Sequence, residues 1–256
     1  MPAPFTAPRT SFNAGITSRR VTAFASISLD EVKAVKHALG VTVNDVVLAV
    51  CGGALMRYLD DEDERPDKSL IAVCPVSVHD AAEGDGVNKV SAMFASLATD
   101  TDDPVERIKG INKVSTAAKE EHQAIGANLL QNWGEFTGPN IGLAMRLYSR
   151  MRLAERHTPV YNLVISNVPG PPFPLYFGGA KLVSLNPLGP IFDGSGLNVT
   201  VLSYLDSVGF GLVACPKNVP DIWRLAGYIP EAFDELRKAA DVAPGDGGTK
   251  EGMTKE

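Results

Sequence analysis

The 256-residue sequence contains only three cysteines, Cys51, Cys74 and Cys215, and none stands in CxxC spacing. An odd, unpatterned set supports neither a disulfide framework nor a zinc site, and all three sit in apolar runs, as buried thiols of a reducing compartment do. There is no GxSxG elbow, no Walker loop and no HExxH, which removes the footing for hydrolase, nucleotidase and zincin chemistry. The N-terminus lacks a charged segment followed by an apolar stretch, and no run approaches the roughly 18 apolar residues of a spanning helix. A basic balance is missing as well. The chain has 24 Lys and Arg against 30 Asp and Glu, a net charge of −6, and a pI near 5.3, so no overall field draws it to nucleic acid. What is present, 45% hydrophobic and 21% charged residues, can offset the chain entropy of folding over one large domain or two small ones. The expectation is a soluble, cytoplasmic, globular chain.

Residues 1–18 are rich in Pro, Ala, Ser and Thr without periodicity and read as an extended arm or linker. Residues 21–28 alternate as a strand. Ser28 to Glu31 has capping-box spacing and opens a helix that stops at Gly40, and Thr42 to Asp45 repeats the device for a helix ending near Leu59. Residues 69–78 form a continuous apolar run of strand length, the pattern of a strand buried on both faces. A polar loop, 79–88, leads to a strand at 89–99. Asp103-Pro104 with Glu106 starts a helix running to about Ala124. Helices are then expected at 127–136 and 141–155, strands at 161–166, 181–188, 197–204 and 209–214, and a helix at 220–239. The sparse apolar content of the tail, 241–256, predicts disorder. The order of elements predicts a mixed β-sheet covered by helices, in the α/β or α+β class.

Four histidines are available as bases. His37 and His122 lie on amphipathic helices among charged residues and read as solvated, and His157 follows Arg156 at a helix end, where a cation suits the dipole. His79-Asp80-Ala81-Ala82-Glu83-Gly84 has the form HxxxEG, one methylene from the HxxxDG in which a histidine takes the proton of an acceptor hydroxyl attacking a thioester. Its Gly- and Asp-rich setting, however, looks like a surface turn. Two polar constellations remain. Capping explains Asp45 but not Asn44, a carboxamide in the first turn of an otherwise apolar helix. Ser166-Asn167-Val168-Pro169-Gly170-Pro171 follows an apolar strand, where Pro-Gly fits a type II turn. It reads either as a rigid connection or as a polar ledge at the mouth of a cleft. Residues 141–157 hold Arg146, Arg150, Arg152 and Arg156 against Glu155 alone. They read as a buried helix whose arginines pair with carboxylates, or as an interfacial helix basic toward anionic headgroups.

Taken in order, Pro8-Arg9-Thr10-Ser11-Phe12-Asn13, Val43-Asn44-Asp45-Val46-Val47-Leu48, Pro75-Val76-Ser77-Val78, Gly86-Val87-Asn88-Lys89-Val90-Ser91, Ser166 through Pro171 and Asn198-Val199-Thr200-Val201-Leu202-Ser203-Tyr204 form an ordered series. The series resembles the C-terminal half of the bacterial wax ester synthase/diacylglycerol acyltransferase family, its actinobacterial branch above all, over about residues 4–240. The resemblance implies one half of a fold like that of chloramphenicol acetyltransferase, with a domain at 19–240. It implies acyl transfer from acyl-CoA, as co-substrate, to diacylglycerol or a long-chain alcohol, with no bound cofactor. The family's catalytic histidine belongs to an HHxxxDG motif in an N-terminal half, and this sequence has no adjacent histidines. An N-terminal acyltransferase domain is then the implied partner, in the same or a separate chain. By resemblance the substrate-channel and structural motif falls on Asn44, Asp45, Asn88, Ser166, Asn167, Pro169 and Gly170, while His79 falls in an ordinary loop. Arg146, Arg150 and Arg152 are the candidates for contact with an inner-membrane or lipid-droplet surface. The alternative is a non-catalytic lipid-binding or interaction module derived from such an enzyme.

Overall fold

The computed structural model describes residues 5–77, 90–124 and 147–244. His79, Asn88, Arg146, the expected loop at 79–88 and the expected helix at 127–136 lie outside them. Strand β1 (Val21–Ser28) hands directly to helix α1 (Leu29–Leu39), where Ser28 Oγ accepts the Glu31 N–H and Gly40 closes the helix at φ 66°. Helix α2 (Val43–Asp61) follows, opened by the Thr42–Asp45 capping box. Then come β2 (Ile71–Ser77), β3 (Val90–Ser96), α3 (Pro104–Ala124), β4 (Leu163–Val168), a hairpin of β5 (Tyr176–Phe177) and β6 (Ala180–Lys181), β7 (Leu197–Tyr204), β8 (Ser207–Ala214) and α4 (Ile222–Ala239).

Six strands make one mixed sheet in the order β1-β8-β7-β4-β2-β3. Its centre, β2-β4-β7, is parallel and its flanks are antiparallel. The helices share one face. Alternation sends Leu163 and Ile165 of β4, Val199 and Val201 of β7, and Phe210 and Leu212 of β8 into a single core with α2 and α4. Helix α2 is apolar nearly all round because it is surrounded, with α4, α3 and β4 against it. No single helix among the described residues is long and apolar enough to cross a membrane.

Three expectations are corrected. Residues 181–188 are not a strand of the sheet. They run extended across the face of β7 and β8 away from the helices, where backbone carbonyls meet strand residues instead of pairing at an edge. A Cβ at Gly211 would stand 1.8 Å from the Pro187 carbonyl oxygen, so only glycine permits the crossing. The helix at 141–155 does not reach Glu155: Arg152 turns left-handed at φ 52°, and a short 3-10 turn, Leu153–Glu155, follows. Gly170 is not the positive-φ residue of a type II turn. It is required by close approach, since a Cβ there would lie 1.9 Å from the Ser203 carbonyl oxygen.

The N-terminal arm is extended yet docked. Phe12 and Asn13 are fully buried, and Asn13 Nδ2 donates to the carbonyls of Tyr161 (3.0 Å), Asn162 (3.3 Å) and Gly194 (2.9 Å). Asn162 Nδ2 returns a bond to Asn13 Oδ1 at 3.0 Å, and its Oδ1 accepts the Ile71 N–H at 2.9 Å. These buried carboxamides join loops that have no ladder of their own.

Candidate functional site

Strand alternation builds the site from below. Leu163 and Ile165 face the helices, so Asn167, two residues on, lies on that same face at the strand's carboxyl end. There it meets the first turn of α2: Asn167 Nδ2 donates to Asn44 Oδ1 at 3.4 Å. The parallel pairing of β2 with β4 stops at Val73–Val164, two residues before Pro75, whose ring nitrogen has no proton to donate. Pairing of β4 with β7 continues through Val168–Leu202. Ser166–Val168 therefore pair on one side only among the described strands, and the sheet opens beside the Asn44–Asn167 contact. A cleft at the carboxyl ends of parallel strands is where α/β sheets commonly bind ligands.

Asp45 underlies this opening and is 1% exposed. Its Oδ2 accepts three bonds: from the Thr42 N–H (2.9 Å), from Thr42 Oγ1 (2.8 Å) and from Asn112 Nδ2 of α3 (2.8 Å). Oδ1 is buried with no hydrogen-bond partner, and so is Ser115 Oγ. Capping thus accounts for one face of the carboxylate, while Asn112 on a separate helix holds it from another. Asn112 was not singled out by the sequence. Its signal was its place at i+4 and i+1 from the apolar Ile108 and Ile111, on the stripe that packs on α2.

After β4 the chain forms an arm held down by β7. Gly170 N–H donates to Ser203 Oγ (3.2 Å) and Leu175 N–H to the Tyr204 hydroxyl (2.9 Å). That hydroxyl donates to the Leu182 carbonyl (3.2 Å), and Asn198 Nδ2 donates to the Pro190 carbonyl (3.2 Å). The Asn198-to-Tyr204 motif is thus the anchor of the arm, and Pro169 and Gly170 are its first residues.

The arginines lie elsewhere. Arg150 and Arg152 are exposed beside the exposed apolar side chains of Leu147 and Met151, and Arg152 pairs with Glu155 at 3.4 Å. A polar cavity of about 140 Å³, lined by Tyr148, Ser149, Arg152, Asp193 and Lys217 among others, lies near the amino end of β7, away from Asn44. No group of three or more His, Cys, Asp or Glu suited to a metal occurs among the described residues. Burial pushes the thiol of Cys74 up to about 12 and that of Cys51 higher still, so neither is a nucleophile near neutral pH.

The family model of the WS/DGAT C-terminal domain matches residues 87–237, and that of the wax ester synthase/diacylglycerol acyltransferase catalytic domain matches residues 1–47, which include Asn44 and Asp45. A putative diacylglycerol O-acyltransferase of Mycobacterium tuberculosis is 42% identical over 245 residues, 95% of this chain and 48% of that protein. The O-acyltransferase WSD of Acinetobacter baylyi is 38% identical over 89% of this chain and 48% of its own length. The wax ester synthase/diacylglycerol acyltransferase of Marinobacter aquaeolei superposes with a TM-score of 0.75 at 34% identity, over 92% of this chain and 53% of that one. A cyclization-docking bidomain of a Sorangium cellulosum peptide synthetase, at 12% identity and a TM-score of 0.57, shares the fold alone. The chain spans about half the length of the curated relatives it matches. With the C-terminal domain matched over more than half its residues, the chain belongs to the wax ester synthase/diacylglycerol acyltransferase family.

Proposed function

We propose that this chain is the C-terminal part of an acyl-CoA-dependent O-acyltransferase that esterifies diacylglycerol or a long-chain alcohol, and that it forms one wall of the substrate channel. The observation that carries the reading is the meeting of Asn44 and Asn167, 123 residues apart, where β4 loses its β2 neighbour. In such a reaction a histidine removes the acceptor's hydroxyl proton, the oxygen attacks the thioester carbonyl, and the coenzyme A thiolate leaves and is reprotonated. The catalytic histidine belongs to an HHxxxDG motif of an N-terminal half. This chain supplies two carboxamides able to present a donor and an acceptor to the polar centre of the forming ester, Asn44 on a helix start fixed by Asp45 and Asn167 at the end of β4. Acyl-CoA is a co-substrate, and the scheme uses no bound cofactor or metal. The chain works in the cytoplasm, at the inner-membrane or lipid-droplet surface.

Turnover of acyl-CoA and diacylglycerol tests this. The 256-residue chain alone is expected to be inactive, because a missing base costs about 10² to 10⁴ in rate. Addition of the N-terminal half is expected to restore turnover, and Asn44→Ala to lower it with little change in melting. Turnover by the chain alone that vanishes in His79→Ala would overturn the scheme and make His79 the base.

A further inference from the structure

The carboxylate beneath the cleft is held in a way that stability alone does not explain. Asp45 Oδ2 accepts the Thr42 N–H and the Thr42 hydroxyl, and these two bonds already complete the cap of α2. Asn112 of α3 adds a third donor to that same oxygen at 2.8 Å, while Oδ1 is buried with no partner. A bond made only to satisfy a buried carboxylate would go to Oδ1, because a bare buried acceptor costs more than a third bond to an occupied one returns. Three donors on one oxygen, from two elements, instead fix where that oxygen stands. A fold that gives up bonding at one point commonly does so at a functional site.

Asn112 is itself firmly placed. Arg107, five residues earlier on α3, is 1% exposed. Its Nη2 donates to the carbonyls of Thr101 (3.0 Å) and Asp102 (2.9 Å), and its Nε donates to that of Thr101 (3.2 Å). Helix α2 packs on it so closely that a Cβ at Gly53 would stand 2.9 Å from Arg107 Nη1. Helix α3 is therefore pinned against sliding along α2, and Asn112 reaches Asp45 from a fixed post. Asn44 is one peptide before Asp45, and its carboxamide accepts from Asn167 at 3.4 Å. Donors on α3 and on β4 thus approach the first turn of α2 from two separate elements.

We infer that Asn112 is a positioning residue for acyl transfer: by holding Asp45 from α3 it keeps the Asn44 carboxamide in place beside Asn167 for the reacting ester. The inference rests on the acyltransferase reading. Asn112 acts through Asp45 and one peptide unit and has no bond to Asn44 itself. Without it the cap made by Thr42 remains, but the first turn of α2 is free to lean away from β4. A misplacement of about 1 Å can cost about 10²-fold in rate. The loss falls on kcat and spares KM, because the two carboxamides are assigned to the ester as it forms and not to substrate binding.

The test joins the chain to the N-terminal half of the Mycobacterium tuberculosis relative and measures turnover of acyl-CoA with diacylglycerol. Asn112→Ala is expected to lower kcat about tenfold or more with KM for acyl-CoA little changed. Ser115→Ala removes a buried, unpartnered hydroxyl one turn further along α3 and is expected to leave kcat as it is. On an Asn44→Ala background, Asn112→Ala is expected to cost nothing more, the signature of a residue that works through Asn44. Nitrogen-15 spectra supply a readout independent of turnover: the side-chain amide signals of Asn167, assigned with Asn167→Ala, are expected to move in Asn112→Ala and to stay in Ser115→Ala. Far-ultraviolet circular dichroism checks folding, and Asn112→Ser replaces an alanine variant that does not fold. An unchanged kcat, a loss confined to KM, a full further loss on the Asn44→Ala background, or unmoved Asn167 signals each overturns the inference. A wild-type enzyme that turns over regardless of Asn112 keeps the acyltransferase reading and removes the positioning role. A joined wild-type chain without turnover removes the acyltransferase reading, and the Asn167 signals then decide whether Asn112 sets the contact of the two carboxamides.

Discussion

Asp45→Ala removes the acceptor of three hydrogen bonds from the start of α2, and the cost can be worked through. The lost cap is worth about 1 kcal/mol. The Thr42 N–H and the Asn112 carboxamide, both partly buried, lose their partner, which adds about 1–3 kcal/mol. Against this, alanine also removes the buried, unpartnered Oδ1, whose desolvation the native state bears uncompensated, and recovers about 1 kcal/mol. The expected net is about 1–3 kcal/mol, at or above the value for a cap alone. Asp45→Asn keeps an acceptor for Thr42 and Asn112 and is expected to cost about 1 kcal/mol. A double-mutant cycle of Asp45→Ala with Asn112→Ala isolates the bond between α2 and α3, with an expected coupling of about 1 kcal/mol. Urea unfolding with an unchanged slope measures each value. Additive costs in the cycle, or an asparagine as damaging as the alanine, would refute the argument.

Gly211→Ala forces a methyl to 1.8 Å from the Pro187 carbonyl oxygen, and displacement of the arm is expected to lower stability by at least about 1–3 kcal/mol; an unchanged urea midpoint would refute the crossing. The native protein at pH 8 is expected to leave Cys51 and Cys74 unreacted toward an aromatic disulfide until denaturant is added, since burial raises both thiols; immediate labelling of either counts against their burial. Arg150 and Arg152, exposed beside Leu147 and Met151, are expected to give binding to anionic but not neutral vesicles, each arginine near the surface being worth about 1 kcal/mol and fading at high salt. Equal co-sedimentation of the Arg150→Glu, Arg152→Glu double variant would sink the surface role.

Local signals were legible in the sequence and distant ones were not. The caps of α1 and α2 are set within four residues, and Ser28, Gly40, Thr42 and Asp45 all act as their spacing predicts. The polar motif at Asn167 was visible after an apolar run, but the sequence left it open between a rigid connection and a ledge at a cleft. The extended arm was not legible. Residues 181–188 have the composition of a strand, but partners for a strand are assigned by the whole sheet, and β7 already has β4 and β8 on its two sides. A signal did exist: Gly209 and Gly211 alternate within β8, a pattern that marks close approach of another backbone. Gly170 carried a similar ambiguity, because glycine serves both positive φ and tight contact, and sequence does not say which. Asn112 escaped notice because a single carboxamide on an apolar stripe acquires meaning only from the carboxylate that it meets on another helix.

The carboxamides themselves separate structure from function. Asn13, Asn162 and Asn198 are nearly or wholly inaccessible, and their bonds to backbone carbonyls and to one another run mostly from 2.6 to 3.2 Å. An uncharged group with two donors and an acceptor can be buried at such joints at modest cost when every site is used. Asn44 and Asn167 are built from the same chemistry but are used differently. They are partly exposed, they touch at 3.4 Å, and they stand where β4 has lost a neighbour. A slack pair contributes little to stability, so a fold that needed only a joint here would gain by tightening it. On the proposed reading, amides paired this loosely at an open strand edge, above a carboxylate that Thr42 and Asn112 hold with three bonds, part from each other when a substrate arrives.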